Sequence, residues 1–261
     1  LAGCGYTGER CADFFSTAGA EVTALVSSEE SARRLADKPY RVLAADAADP
    51  AELRARLAGC ENPDVLIHCL SGKHGRDAAA YRVVYYDTLR HLLEVLTPKF
   101  TVFTGSTSVY PQNDGSLVDE SSPTGGTPTG DVLLTAEQLA LDAGGAVVRL
   151  GGIYGPGRTR FIDSARSGDL SAFGSPEAFI NFIHRDDAAR ALLHIGSNHL
   201  PGLYNAVDNH PCRRSDLAEA IRTNSPLVTA VNDRRTPSTG KRVSNKKLRQ
   251  TNWTPQFPSI L

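Results

Sequence analysis

Short apolar segments alternate with longer amphipathic segments along most of the chain. The apolar segments predict strands at 21–26, 41–46, 64–70, 100–105 and 146–150, and the amphipathic ones predict helices at 9–18, 29–36, 49–57, 76–96 and 131–142. The segment 64–70 is apolar almost throughout, which is typical of a strand whose two faces are both covered. Strands that alternate with helices predict an α/β fold, a doubly wound parallel sheet of the Rossmann type.

Three closely spaced glycines precede the first predicted helix. Since the first of them is residue 3, we expect most of the strand before it to lie upstream of Leu1. Glycines at a strand-to-helix junction let the backbone approach a pyrophosphate, which then binds the free N–H groups of the helix. The helix and strand that follow supply the β–α–β context of a dinucleotide site, although a plain tight turn is the alternative. The residues concerned are Gly3, Cys4, Gly5, Tyr6, Thr7 and Gly8.

The composition of the chain limits the kinds of binding partner and the cellular compartment that we expect for this protein. The 28 basic and 29 acidic residues leave a net charge of −1, which gives no reason to expect nucleic acid or an anionic membrane as a partner. No apolar run reaches the length of a bilayer span, and no secretory leader is expected. The five cysteines are scattered and form no Cys-x-x-Cys, so we expect buried thiols in a reducing compartment, the cytoplasm. The histidines show no metal-ligand spacing, so we expect no metal.

Several further motifs occur in an order that resembles the extended short-chain dehydrogenase/reductase family, the NAD-dependent epimerase/dehydratase group. Besides the glycines and Asp46, they are Phe103-Thr104-Gly105-Ser106-Thr107-Ser108-Val109-Tyr110, Arg149-Leu150-Gly151-Gly152-Ile153-Tyr154-Gly155-Pro156-Gly157 and Asn181-Phe182-Ile183-His184-Arg185-Asp186-Asp187. The resemblance covers nearly the whole chain. It implies a dinucleotide-binding Rossmann domain over 1–152 and a small C-terminal substrate lobe over 153–261, with a helix and a strand at about 184–207 returning to the main sheet.

The end of the strand predicted at 21–26 bears on the choice between NAD and NADP. A carboxylate that would bond the adenosine ribose is absent there, where Ser27 and Ser28 follow Val26. These hydroxyls, with Arg33 and Arg34 on the next helix, favour NADP over NAD because they could hold a 2′-phosphate. The alternative is that both arginines are solvated helix charges. The resemblance also implies contacts to the adenine and ribose from Asp46, Ala47, Cys69, Leu70 and Ser71.

The catalytic residues that the resemblance implies are only partly present. Ser106 occupies the family's catalytic Ser/Thr position, and Ser108 is a second hydroxyl beside it; the alternative is a pair of turn serines that bond the backbone. The family's proton relay is a tyrosine followed four positions later by a lysine, and none of the eight tyrosines here has that lysine. Aligning Glu137 with the family's helix glutamate puts Thr129 and Leu133 at the two positions. Lys73 and His74 lie in a loop at the sheet edge, and we interpret them as solvated rather than catalytic.

Two functions remain open from the sequence. The first is an NAD(P)-dependent oxidoreductase or epimerase of atypical mechanism that acts on a nucleotide sugar or another small hydroxy or keto compound. The second is a catalytically inactive sensor or interaction module that keeps the dinucleotide site. A homodimer through the helices at 76–96 and 131–142 is a further prediction, against the alternative that their apolar stripes face the sheet.

Overall fold

The computed structural model describes residues 1–72, 77–225 and 239–261. It contains two compact units, each assembled from several segments of the chain. The first unit comprises residues 1–109, 125–149 and 189–204, and the second comprises 110–124, 150–188 and 205–261. Both units therefore draw on sequence from either side of residue 152.

The first unit is built on a sheet whose order follows from its pairings. β1 pairs in parallel with β2, and β3 pairs in parallel with β4. Ala2 bridges Leu25 on β1 and His68 on β3, both in parallel, so the N-terminal residues lie between these two strands. On the other side of β4, the order continues with β6 and then β10. The strands are β1 (Thr23–Val26), β2 (Arg41–Ala44), β3 (Val65–His68), β4 (Phe100–Ser106), β6 (Ala146–Leu150) and β10 (Gly202–Ala206).

Helices cover both faces of this sheet, as the alternating side chains of β3 show. A Cβ atom at Gly196 would lie 3.1 Å from both Val65 and Phe15, so the helices α8 and α1 cover one face. Leu66, which points the other way, packs in a cluster with Leu92 of α5. The doubly wound Rossmann prediction is therefore confirmed. The helices are α1 (Tyr6–Thr17), α2 (Glu29–Arg34), α3 (Pro50–Leu57), α4 (Ala78–Tyr81), α5 (Thr88–Val95), α6 (Pro128–Asp142) and α8 (Arg185–Ser197).

Capping residues decide where the helices begin. Asp49 accepts hydrogen bonds from the backbone N–H groups of Ala51 and Glu52, which starts α3 where the sequence predicts it. The prediction for α6 is wrong by three residues. Thr127 accepts the N–H of Gly130 and Pro128 takes the first helical position, so the helix begins before the predicted start at residue 131.

The predicted single helix at 76–96 is interrupted. Between α4 and α5 the backbone forms a π-helix over Arg82–Asp87, and residues 73–76 lie outside the described part of the chain. A π-helix adds one residue to a helical turn and is frequently found at functional sites. It carries Tyr85, whose ring contacts Tyr81 at 5.1 Å and Phe103 of β4 at 6.4 Å between centroids.

The second unit is smaller and contains short strand pairs. β7 (Gly152–Tyr154) pairs in parallel with β9 (Phe182–His184), and Asp187 accepts the N–H groups of Gln256 and Phe257 at 2.9 and 2.8 Å. This buried carboxylate holds the C-terminal segment in place. The remaining elements are β5 (Leu117–Val118), β8 (Phe179–Ile180), β11 (Cys212–Arg213), β12 (Arg242–Val243), α7 (Arg160–Ser167), α9 (Arg214–Thr223) and α10 (Lys246–Arg249). None of the helices in the described segments has the length and apolar character needed to cross a membrane.

Candidate functional site

Two of the three motif glycines are required by the packing of the protein itself. Gly3 has φ of +93°, and a Cβ there would lie 2.6 Å from the Cys69 carbonyl carbon and oxygen. A Cβ at Gly8 would lie 2.0 Å from the Gly3 carbonyl oxygen. Both positions exclude any side chain because backbone atoms, which cannot move aside, occupy the space.

Gly5 differs from its two neighbours in the motif. Its φ of −91° is negative, and a Cβ there would meet nothing within 4 Å. It is exposed and forms the N-cap of α1, and as a glycine it has no side chain that could cap the helix. The protein thus leaves open space at Gly5, at the N-terminus of a helix, which fits the approach of a dinucleotide's diphosphate. Tyr6 and the buried Thr7 form the first turn of α1 behind it.

The end of β3 lies directly against the glycine loop. The Cys69 N–H donates to the Ala2 carbonyl at 2.8 Å, and the Cys69–Leu70 peptide contacts Gly3. The structure therefore brings these predicted cofactor residues to the glycines, with the exposed Ser71 following them. Burial raises the pKa of the Cys69 thiol to about 12, so it is not a thiolate at neutral pH.

Of the two hydroxyls predicted to hold a 2′-phosphate, that of Ser28 takes part in local structure. The Ser28 hydroxyl oxygen caps α2 by accepting the Ser31 N–H at 3.2 Å, while Ser27 is exposed at the end of β1. Arg33 is exposed in the last turn of α2. Its neighbour Arg34 contacts the protein instead, because one guanidinium nitrogen donates to the Cys4 carbonyl at 3.1 Å.

The predicted adenine-contacting turn follows β2. One Asp46 carboxylate oxygen accepts the Ala48 N–H at 2.9 Å, which fixes the turn while the side chain remains exposed. Ala47 is buried, and its carbonyl lies 3.1 Å from Nδ1 of His91. The turn is thus held rigidly by the helix α5, which carries His91.

Ser106 is the last residue of β4, at the edge of the sheet where the strand ends. Its hydroxyl oxygen accepts the Ser108 N–H at 3.1 Å, within a 3₁₀ turn over Thr107–Val109. This is the bonding expected of a turn serine, yet it uses only an acceptor position, so the hydroxyl proton is still able to bond a ligand oxygen. Ser108, two residues further along the chain, is exposed.

A buried ion pair next to the end of β4 was not predicted from the sequence. Glu137 of α6 and Arg149 of β6 are 3% and 4% exposed, with Arg149 Nε donating to the two carboxylate oxygens at 3.0 and 3.1 Å. Burial raises the pKa of Glu137, and the guanidinium opposes that rise. An arginine inside the apolar segment 146–150 was the available signal, since a buried charge needs a partner.

The position that the alignment on Glu137 assigns to the family's lysine lies in the apolar core. Leu133 is 2% exposed, and Thr129 lies half-buried one turn earlier in α6. No proton relay of the Tyr-x-x-x-Lys type can therefore form on this helix. Lys73 and His74 lie outside the described residues. Within residues 1–72, 77–225 and 239–261, no cluster of three His, Cys, Asp or Glu side chains suits a metal ion.

Comparisons with known proteins agree with this geometry. A protein of Methylobacillus flagellatus assigned to the NAD-dependent epimerases/dehydratases has 28% identity to the chain, with 99% of this chain and 92% of that one covered and a TM-score of 0.78. Two more distant structures share the fold. They are the UDP-Glc/GlcNAc 4-epimerase of Campylobacter jejuni (15% identity, 99% and 94% covered, TM-score 0.76) and MoeE5 in complex with UDP-glucose and NAD (18% identity, 98% and 92% covered, TM-score 0.72).

Sequence comparison gives the family directly. No curated protein matches the chain significantly. The sequence profile of the NAD dependent epimerase/dehydratase family, however, matches residues 2–206. That match spans the glycine loop, Ser106 and the Glu137–Arg149 pair, and the chain therefore belongs to the NAD dependent epimerase/dehydratase family.

Proposed function

We propose that the protein is an NAD(P)-dependent oxidoreductase or epimerase that acts on a nucleotide sugar or another small hydroxy or keto compound. The observation that carries this proposal is the open space at Gly5, at the N-terminus of α1. The neighbouring strand β4 ends in Ser106, whose hydroxyl is able to donate a hydrogen bond. A distant structural neighbour that holds UDP-glucose and NAD supports the substrate class.

In this proposal, one set of residues binds the cofactor and another takes part in the reaction. The loop from Gly3 to Gly8 would bind the diphosphate through backbone N–H groups, with Cys69, Leu70 and Ser71 beside the ribose. A bound nicotinamide supplies the hydride acceptor or donor. The Ser106 hydroxyl would donate a hydrogen bond to the substrate oxygen, which stabilises charge on that oxygen while a C–H bond breaks or forms. Since the Tyr-x-x-x-Lys pair is absent, proton transfer does not use the family's usual relay.

We also propose a preference for NADP. It rests on Ser27, Ser28 and Arg33, which follow β1 in the sequence, and on the absence of an acidic residue at positions 27 and 28. A reducing compartment, the cytoplasm, is proposed because all five cysteines are free. We also propose a homodimer, in which two copies would pair through the helical residues 78–95 and through α6.

Calorimetric titration with NAD⁺ and NADP⁺, followed by an absorbance assay of nicotinamide reduction, tests the proposal. The assay uses a panel of alcohols and nucleotide sugars, and the reverse reaction uses NADH or NADPH with ketones. We expect binding of at least one dinucleotide and turnover of at least one substrate, with turnover abolished or strongly reduced in Ser106→Ala. Failure to bind either dinucleotide would overturn the proposal.

A second function, a dinucleotide sensor without catalysis, is favoured by one specific observation. Leu133, to which the alignment on Glu137 assigns the position of the family's lysine, is a core residue that is 2% exposed. Tight binding of NAD(P) with no turnover across the panel, in the wild type and in Ser106→Ala alike, would favour the sensor over the enzyme.

A further inference from the structure

Arg34, the last residue of α2, forms two contacts that tie it to the glycine loop. Its Nη2 donates to the Cys4 carbonyl at 3.1 Å, and its Nη1 forms an ion pair with Glu9 of α1. The same Glu9 carboxylate also pairs with Lys38 at 2.9 Å, and Lys38 in turn pairs with Asp13 at 2.9 Å. Arg34 therefore belongs to a charge network that spans α1 and the segment after α2.

This network leaves Arg34 poorly suited to bind a phosphate. Each terminal nitrogen of the guanidinium already has an acceptor within the protein, one on Cys4 and one on Glu9. The adjacent Glu9 carboxylate neutralises the guanidinium and would repel a phosphate dianion. A phosphate ligand would have to break both contacts before the arginine could form a bidentate pair.

The bond to Cys4 has a consequence for the next residue. The Cys4 carbonyl and the Gly5 N–H belong to one planar trans peptide unit, in which the two groups point in opposite directions. By holding the carbonyl, Arg34 fixes the Gly5 N–H so that it points away from the charge network. No backbone carbonyl of the described residues accepts this N–H, and the space beside Gly5 is open.

A second contact braces the same residue. The Cys4 thiol lies 3.9 Å from the Tyr40 hydroxyl, which donates to Asp13 at 3.2 Å. Burial raises the pKa of the Cys4 thiol, so it remains neutral. Cys4 is thus held through its side chain by Tyr40 and through its carbonyl by Arg34, and only the Arg34 contact sets the orientation of the peptide plane.

We propose that Arg34 is a positioning residue for the dinucleotide diphosphate, which it serves by orienting the Cys4–Gly5 peptide, and that it is not a ligand of a 2′-phosphate. This inference rests on the proposed function. It implies that Arg34 contributes equally to the affinities for NAD⁺ and NADP⁺, because the diphosphate is common to both. Discrimination between the two dinucleotides is left to the other groups at the end of β1.

The test measures the dissociation constants of NAD⁺ and NADP⁺ for the wild type and for Arg34→Ala and Arg54→Ala. Arg54 is a matched control, since it is an exposed arginine of α3 whose ion pair with Glu94 of α5 is 4.0 Å long. We expect Arg34→Ala to weaken both dinucleotides by about tenfold, the loss of one charge-assisted hydrogen bond, with their ratio unchanged. Arg54→Ala should bind as the wild type does.

Each other outcome has a distinct meaning. A selective loss of NADP⁺ affinity in Arg34→Ala would show a 2′-phosphate ligand and overturn the inference, as would unchanged affinity for both. If the wild type binds neither dinucleotide, the proposed function itself fails. Should Arg34→Ala be unstable, Arg34→Lys retains a donor and a charge but only one of the two contacts. In its amide nitrogen–proton spectrum we expect a shifted Gly5 signal and intermediate affinity for both dinucleotides; an unmoved Gly5 signal with wild-type affinity would contradict the inference.

Discussion

Glu137 and Arg149 form a buried ion pair directly against Gly105, one residue before the predicted catalytic serine. A Cβ at Gly105 would lie 2.6 Å from Oε1 of Glu137, so the carboxylate fills the space that a side chain would take. The pair links α6 to β6 next to the end of β4. It holds in place the strand end that carries Ser106.

Breaking this pair should destabilise the protein strongly. In Glu137→Leu the guanidinium of Arg149 stays buried without its carboxylate, and we expect a loss of about 3–5 kcal/mol in the free energy of unfolding. Urea denaturation measures it. The control Glu94→Leu breaks an exposed pair with Arg90 and should cost no more than about 1 kcal/mol. Equal losses in the two variants would show that the buried pair does not have this role.

Gly8 should tolerate no side chain at all. Gly8→Ala would place Cβ 2.0 Å from the Gly3 carbonyl oxygen, so the loop or α1 has to move. We expect a loss of several kcal/mol or failure to fold, seen as a lower melting temperature or insoluble protein. Gly59→Ala is the comparison, because its φ of +78° is strained but the space around it is empty. That variant should lose only about 1–2 kcal/mol.

Asp208 in the second unit should make stability fall as pH rises. Burial raises the pKa of its carboxyl to about 7, against an ordinary value of 3.8. Between these values the folded state binds the proton more tightly than the unfolded state does. The contribution of Asp208 to the free energy of unfolding is therefore fully present below pH 3.8 and is lost as the pH rises towards 7. The loss amounts to at most about 1.4 kcal/mol per pH unit. Urea denaturation from pH 4 to 8 should show a flatter profile for Asp208→Asn. Parallel profiles for the two proteins would contradict the assignment.

The sequence predicted the alternation of strands and helices well, because the spacing of apolar residues and the positions of turn residues determine these elements locally. The roles of the glycine loop, the end of β3 and Ser106 were predicted from motifs and from the family resemblance and stay predictions, although the structure does bring the end of β3 to the glycine loop. The π-helix at Arg82–Asp87 and the ion pair of Glu137 could not be predicted so readily, since both depend on how α6 and its neighbours pack on the sheet. Arg34 shows the same limit. The sequence offers Arg34 as a phosphate ligand, but it does not show that Arg34 bonds Glu9, which lies 25 positions earlier.

Removal of the Ser106 hydroxyl should affect catalysis more than binding. In Ser106→Ala the hydrogen bond to the Ser108 N–H is lost at an exposed turn, so we expect about 1 kcal/mol of destabilisation. Loss of a donor to the substrate oxygen should lower kcat/KM by about 100-fold or more, with dinucleotide affinity unchanged. Steady-state kinetics on any substrate found by the panel measures this, and Ser108→Ala should have the smaller effect. A Ser106→Ala enzyme with wild-type kcat/KM would remove Ser106 from the active site.

The most direct measurement is the affinity of Gly5→Ala for NAD⁺ and NADP⁺, taken together with its free energy of unfolding. Because the added methyl meets no protein atom, stability should stay within about 1 kcal/mol of the wild type. The same methyl would enter the space where the diphosphate approaches the backbone, so both dissociation constants should rise by about 100-fold or more. A stable Gly5→Ala protein that binds either dinucleotide as tightly as the wild type would contradict the placement of the cofactor on this loop.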